Sequence, residues 1–391
     1  PLHRARGRRR RSHRVVREHH TLRRAGRSAG GDDECVPWLH RFTDAHRRAQ
    51  LRPCGTREAL IDGKGGVAGV PDAPEFVDER RATREVDGDE LWFARHAAHH
   101  GALMNRWITG ARPRTLPAAV VPVAVGSAAA VGVESDAGIV WWRVALALVV
   151  SLALQVGVNY ANDYSDGVRG TDDVRVGPTR LVAGGLASAS AVKRAAMISF
   201  GVAAVAGLAV ALDTSLWLLA VGVAAIAAGW FYTGGPKPYG YLGLGEVFVF
   251  VFFGLVATVG TTFAAVERVT ALSVVMGSAV GSFACALLVI NNLRDIPTDR
   301  EVGKRTLAVR LGDARTRWFY TALVGASFVL SVVAAAWRPW VLVSLLAVPF
   351  AIAPVRRVLS GASGGALIPV LGDTGRLQLI WGIAATIGLA V

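Results

Sequence analysis

From residue 115 to the end, the chain alternates long apolar stretches with short polar connections. Nine stretches reach or approach the roughly 20 residues that cross a bilayer core, at 115–134, 138–160, 191–211, 214–233, 244–266, 270–291, 316–336, 338–356 and 376–391. The pattern predicts an all-α fold, a polytopic membrane helix bundle with nine transmembrane helices. Small residues crowd these stretches. Gly277-x-x-x-Gly281 in the sixth allows close backbone approach where lipid supplies no hydrophobic drive.

Residues 1–103 read differently. They hold all nine histidines and about half of the Lys and Arg, and no apolar run in them approaches spanning length. With 52% hydrophobic residues and a formal charge of +14, the chain divides into a basic front piece and an apolar remainder from 104 to 391. The front piece lacks helical or strand periodicity and is expected to be disordered. It is read as a basic extension or a mis-assigned start, with the working protein beginning near Met104, the first methionine. Its Arg8–Arg11 run can attract nucleic acid or anionic lipid by charge alone, but no nucleic-acid partner is expected. His96-x-x-His99-His100 is read as solvated. Cys35, Cys54 and Cys285 have no paired spacing and imply no disulfide framework.

Charge assigns the sides of the membrane. Arg106, Arg112 and Arg114 precede the first span, and Arg169, Arg175 and Arg180 follow the second. Lys237 follows the fourth, a run from Arg294 to Arg317 follows the sixth, and Arg356, Arg357 and Arg376 follow the eighth. The alternate connections carry few cations. The positive-inside rule then places the N-terminus and the long loops on the cytoplasmic face.

Two acidic clusters lie on that face, each where an apolar stretch ends: Asn159-Tyr-Ala-Asn162-Asp163-Tyr-Ser-Asp166 and Asn291-Asn292-Leu-Arg294-Asp295-Ile-Pro-Thr-Asp299. Residues three and four apart share a helical face, so Asn159, Asp163 and Asp166 line up. Asn291, Asp295 and Asp299 do the same, although Pro297 is expected to end or kink that helix. Carboxylates gathered at a membrane surface repel one another unless cations intervene. Mg²⁺ suits the arrangement because it takes oxygen ligands, keeps waters and bridges carboxylates to phosphates. Arg169, Lys237, Arg294 and Lys304 lie on the same side and can neutralise phosphate charge. The repeated Asn-x-x-x-Asp, four helices apart, suggests one four-helix unit used twice.

The chain resembles the UbiA superfamily of intramembrane aromatic prenyltransferases in its nine spans, with Asn-Asp-Tyr-Ser-Asp after the second and Asp-Ile-Pro-Thr-Asp after the sixth. Within it, Gly110–Pro117, Asn159–Gly170, Gly177-Pro178, Tyr232–Glu246 and Asn291–Leu307 resemble the 1,4-dihydroxy-2-naphthoate polyprenyltransferases (MenA type). The resemblance covers about 104–391. It implies transfer of a polyprenyl chain from polyprenyl diphosphate to 1,4-dihydroxy-2-naphthoate, with loss of CO₂ and diphosphate, giving demethylmenaquinone. It also implies that Asp163, Asp166, Asp295 and Asp299 bind Mg²⁺ and diphosphate, helped by Asn159, Asn162 and Asn291. Arg169, Lys237, Arg294 and Lys304 become phosphate or carboxylate partners. The lipid bilayer is the working environment, and no obligate protein partner is inferred.

Residues 104–391 contain no histidine. If the attacked ring carbon expels CO₂ rather than a proton, no strong general base is needed. Two alternatives remain at this level: another acceptor, such as 4-hydroxybenzoate, or a cation transporter with acidic gates, which would place Asp163 and Asp295 near mid-membrane.

Overall fold

Apolar runs of this length become helices because only a helix satisfies every backbone N–H and C=O within one segment inside lipid. The computed structural model describes residues 106–135, 138–171 and 180–391. The described residues are helical, without strands. The principal helices are α1 (Pro117–Ala129), α2 (Trp141–Arg169), α3 (Ala189–Asp213), α4 (Trp217–Phe231), α5 (Gly245–Val266), α6 (Ala271–Glu301), α7 (Asp313–Ala334), α8 (Pro339–Leu359) and α9 (Leu367–Ala390). Among the described residues six helices, α2, α3, α5, α6, α7 and α8, are long and apolar enough to cross a membrane, while α1 and α4 are shorter apolar helices. The expectations about 1–103, including the histidine cluster, Cys35 and Cys54, fall outside the described residues, as do Gly177-Pro178 and Arg175.

Helix ends follow local chemistry. Ser188 caps α3 by accepting from the Ala191 N–H. Thr270 and Ser273 form a reciprocal capping box at the start of α6, which satisfies donors that the first turn would otherwise leave open. Gly170, at φ 70°, ends α2, a left-handed position that glycine occupies without a Cβ penalty. α5 is not uniform: Phe250–Val256 winds as a π-helix. There Gly254 meets the Gly277-x-x-x-Gly281 stripe of α6 so closely that a Cβ on Gly254 would lie 2.5 Å from Gly281 Cα and 2.8 Å from the Gly277 carbonyl oxygen. The spacing read from the sequence is thus a backbone-to-backbone seam.

The core lies among α1, α6, α7, α8 and α9, with Phe283, Tyr320 and Trp381 fully buried. Trp381 Nε1 donates to Ser331 Oγ at 3.0 Å, and Tyr320 shares a 2.8 Å hydrogen bond with Thr374. These buried polar groups are matched across helices, as lipid requires. At the opposite end from the acidic motifs, the exposed rings of Trp141, Trp217 and Trp340 stand where an interfacial aromatic belt is expected. The 22 residue steps from Trp141 to Asp163 rise about 33 Å along α2, close to the thickness of a hydrocarbon core. Asp163 therefore sits a membrane's thickness away from that belt.

Two sequence expectations change. Pro297, expected to end or kink α6, does not end it, and the helix runs on to Glu301. Proline removes one backbone donor, and Thr298 Oγ1, donating to the Asp295 carbonyl at 3.0 Å, adds a bond in the same turn. The last helix starts at Leu367 rather than near 376, because Asp373 and Arg376 interrupt the apolar run without interrupting the helix. Asp373 pairs with Arg376 and with Arg357.

Candidate active site

The two motifs occupy the C-terminal turns of α2 and α6, the two longest helices, and the connections after them fold over the same end of the bundle. Asp163 is almost completely buried, and its two carboxylate oxygens accept the backbone N–H groups of Leu181 and Val182 at 2.9 and 3.0 Å. This carboxylate therefore fastens the part of the α2–α3 connection that leads towards α3. Asp166, one turn on, accepts from the Tyr241 hydroxyl at 2.6 Å and from Lys304 Nζ at 3.4 Å. Thr171 Oγ1 also reaches it at 3.3 Å. Arg305 N donates to the Tyr241 carbonyl at 3.0 Å, so the connection after α4 is pinned between both motifs.

On α6, Arg294 grips its neighbour Asp295 through two bonds of 2.6 and 2.8 Å, a bidentate charge-assisted pair. Asp299 accepts from Thr306 Oγ1 at 3.4 Å, and its backbone carbonyl accepts from Lys304 N at 2.8 Å. Burial alone would lower the Lys304 pKa, but the charges of Asp166, Tyr241 and Asp299 outweigh it and hold the ammonium above its ordinary value. Burial, then Asp166, raises the Tyr241 phenol as well, so it stays a hydrogen-bond donor. The Tyr241 ring lies 4.6 Å from the Lys304 ammonium and 5.5 Å from the Arg169 guanidinium, within cation–π range of both.

The asparagines serve neighbouring segments. Asn159 Nδ2 donates to the Ala111 carbonyl at 2.9 Å and to Thr115 Oγ1 at 3.1 Å, and the Asn159 carbonyl accepts from Arg112 at 3.3 Å. Arg112 has φ 54°, a left-handed conformation that costs a non-glycine residue about 1–2 kcal/mol. Asn162 Oδ1 accepts from Thr233 Oγ1 at 2.8 Å, while Arg169 bonds the carbonyls of Thr233 and Gly235. Asn291 Nδ2 turns back to the Leu287 carbonyl of its own helix. Asn292 donates to Glu246 Oε1 at 2.9 Å, and the buried Glu246 Oε2 has no partner among the described residues. Cys285, a free thiol in α6, donates to the Glu246 carbonyl at 3.1 Å.

A cavity of ≈ 740 Å³ opens beneath this end. Asn159, Asn162, Asp163, Arg180, Asn291 and Arg294 line its polar mouth, with Arg112 and Arg114 beside them. The rest of the lining is mainly apolar side chains of α2, α3, α4 and α5. α4 packs on α2 and α3, while α5 packs on α1, α2 and α6. Arg169, Lys304, Asp166, Asp295 and Asp299 do not line the cavity, and Lys237 is exposed outside it. The structure thus joins Asp166, Asp299 and Lys304 and gives Lys237 no place in that group. Tyr241, Thr233 and Thr306 are contacts that motif spacing did not single out. The aromatic run Tyr232–Tyr241 at a membrane edge was the available signal for the first.

The donor chemistry suits a hard divalent cation, since every motif side chain with ligand character offers oxygen. Among the described residues no three Asp, Glu, His or Cys side chains converge closely enough to enclose an ion by themselves. Lys304 is the cation set by Asp166 and Asp299 here, and Arg294 pairs with Asp295. This arrangement fits an ion of the Mg²⁺ type, which completes its shell with water and substrate phosphates, and not a closed protein cage.

The UbiA prenyltransferase family matches residues 119–368. The chain is similar to the 1,4-dihydroxy-2-naphthoate octaprenyltransferase of Mycobacterium tuberculosis, with 52% identity over 289 residues, covering 74% of this chain and 98% of that protein. The fold is similar to the apo structure of a UbiA homolog from Aeropyrum pernix K1, at TM-score 0.56 and 16% identity, covering 69% of this chain and 97% of that one. It is also similar to a UbiA homolog from Archaeoglobus fulgidus bound to GPP and Mg²⁺, at TM-score 0.50 and 14% identity, covering 73% of this chain and 100% of that one. With half the chain and more inside the family match, and a mycobacterial relative matched over nearly its whole length, this chain belongs to the UbiA prenyltransferase family.

Proposed function

We propose that the chain transfers a polyprenyl group from polyprenyl diphosphate to 1,4-dihydroxy-2-naphthoate, releasing diphosphate and CO₂ and forming the prenylated naphthoquinol, the reduced form of demethylmenaquinone. The observation that carries this is a polar mouth of motif side chains set on top of a long, mainly apolar cavity, in a chain 52% identical to an octaprenyltransferase acting on that acceptor. All nine helices cross the bilayer of a bacterial plasma membrane, the shorter two included, and the motifs face the cytoplasm. The catalytic unit is 104–391, and removing residues 1–103 leaves turnover intact.

Asp163, Asp166, Asp295 and Asp299 are the residues that would hold Mg²⁺. A bound ion of this kind would supply the charge neutralisation that makes diphosphate a better leaving group. Arg294 and Lys304, buried at the same end, bind the remaining phosphate oxygens, with Arg169 at the rim. Asn159, Asn162 and Asn291 orient the headgroup at the mouth. The prenyl tail lies along the cavity, whose walls keep water from the allylic cation as the C–O bond breaks. The acceptor ring, held at the mouth beside Arg112 and Arg114, attacks the allylic carbon. Loss of CO₂ from the attacked carbon restores the aromatic ring, so no side chain has to remove a proton there.

The test is product analysis by mass spectrometry, with membranes carrying the chain, octaprenyl diphosphate, and either 1,4-dihydroxy-2-naphthoate or 4-hydroxybenzoate. Prenylated naphthoquinol lacking the carboxyl carbon is the expected product. Retention of that carbon, or turnover of 4-hydroxybenzoate alone, overturns the reading.

A further inference from the structure

A cluster of charged side chains stands one helical turn past the far end of the cavity. The lining residues furthest from the motifs are Ala147 on α2, Val210 on α3 and Ala264 on α5. One turn beyond them stand Arg143, Asp213 and Glu267, at spacings of four, three and three residues. Each therefore lies on the cavity-lining face of its own helix or at its end. The three side chains meet. Arg143 Nε bonds Asp213 Oδ2 at 2.6 Å and Arg143 NH1 bonds Glu267 Oε1 at 2.7 Å. The same guanidinium also reaches the Asp213 and Ala264 carbonyls at 3.1 and 3.5 Å. Arg143 is buried while both carboxylates are about half exposed. Glu267 takes φ 56° to do this, a conformation in which glycine would be the unstrained choice.

Above the clasp the cavity is widened by glycines. A Cβ at Gly222 or Gly260 would meet nothing within 4 Å, and one at Gly207 would meet only Val150 Cγ2, at 3.8 Å. All three residues line the cavity. Between Arg143 and Asn159 α2 rises about 24 Å, which sets the depth of the space.

We infer that the Arg143–Asp213–Glu267 clasp is the end stop of this space, and that it sets, with the glycine-lined chamber above it, the donor chain length beyond which added isoprene units no longer improve turnover. The inference rests on the proposed function, in which the cavity holds the prenyl tail. Units within the chamber gain protein contacts. An apolar tail cannot pass the clasp without stripping a buried guanidinium of its partners, so units beyond it turn out between the helices and exchange one lipid contact for another.

The test measures kcat/KM of the full chain for geranyl, farnesyl, geranylgeranyl and octaprenyl diphosphates, in the native form, in Gly260→Phe, and in the double variant Asp213→Asn with Glu267→Gln. Gly260→Phe fills open space, and it should cut kcat/KM for the longer donors about tenfold while geranyl diphosphate stays within about twofold. The double variant should move the plateau to a longer donor. Equal effects on all four donors in Gly260→Phe, or an unmoved plateau in a folded double variant, overturn the clasp inference and leave the proposed function standing. If the double variant does not fold, Gly260→Phe decides. Absence of turnover with every donor in the native chain overturns both.

Discussion

Lys304 Nζ lies 3.4 Å from Asp166 Oδ1, although the two residues are 138 positions apart. This contact brings the connection after α6 onto the end of α2 and makes one site of two motifs. Replacing Lys304 with Met should lower kcat/KM by about 10²–10³, the usual size of losing a charge stabiliser at a reacting phosphate, with Lys304→Arg recovering part of it. Steady-state kinetics on both variants checks this.

The same contact has a pH signature. The folded-state pKa of Lys304 is above its ordinary value, so the stabilisation it gives is complete below the unfolded lysine value of about 10.4. It is lost as pH rises through the folded value. The difference in thermal midpoint between the native chain and Lys304→Met should be flat from neutral pH to about 10 and shrink above that. A difference that falls between pH 6 and 8 would contradict it.

Tyr241 donates a 2.6 Å bond to Asp166 and has raised affinity for its proton. Tyr241→Phe deletes only that hydroxyl. A hydrogen bond to a charged group contributes about 1.5–3 kcal/mol, so the variant should unfold at lower temperature in detergent and turn over more slowly, with the ring contacts to Lys304 and Arg169 preserved.

The α5–α6 seam makes a contrasting pair. Gly254→Ala places a Cβ 2.5 Å from Gly281 Cα, and such overpacking costs about 1–3 kcal/mol. Gly260→Ala, six residues along the same helix with nothing within 4 Å of its Cβ, should leave the thermal midpoint nearly unchanged.

Much of this architecture was legible in the chain. Each of the nine apolar stretches overlaps a helix, because length and hydropathy alone force that structure in lipid, and the Gly277-x-x-x-Gly281 stripe forms a close seam. The placement of Asp163 against the Leu181 and Val182 amides was not legible, since it depends on how a connection docks after the helices assemble. A proline in the sequence leaves open whether a helix ends or carries on, and α6 carries on past Pro297 to Glu301. Lys237 looked equivalent to Lys304 by sign and side of the membrane. Only the folded connections separate the buried cation from the exposed one.

A double-substitution cycle across the motifs tests the central claim most directly, with kcat/KM measured for Asp166→Asn, Asp299→Asn and both together at saturating Mg²⁺. If Asp166 and Asp299 hold one Mg²⁺–diphosphate unit, each single change should cost about a hundredfold or more, and the pair little more than the worse single change, as for residues that act as a unit. Losses that simply multiply would mean that the two motifs act independently, and would contradict the account.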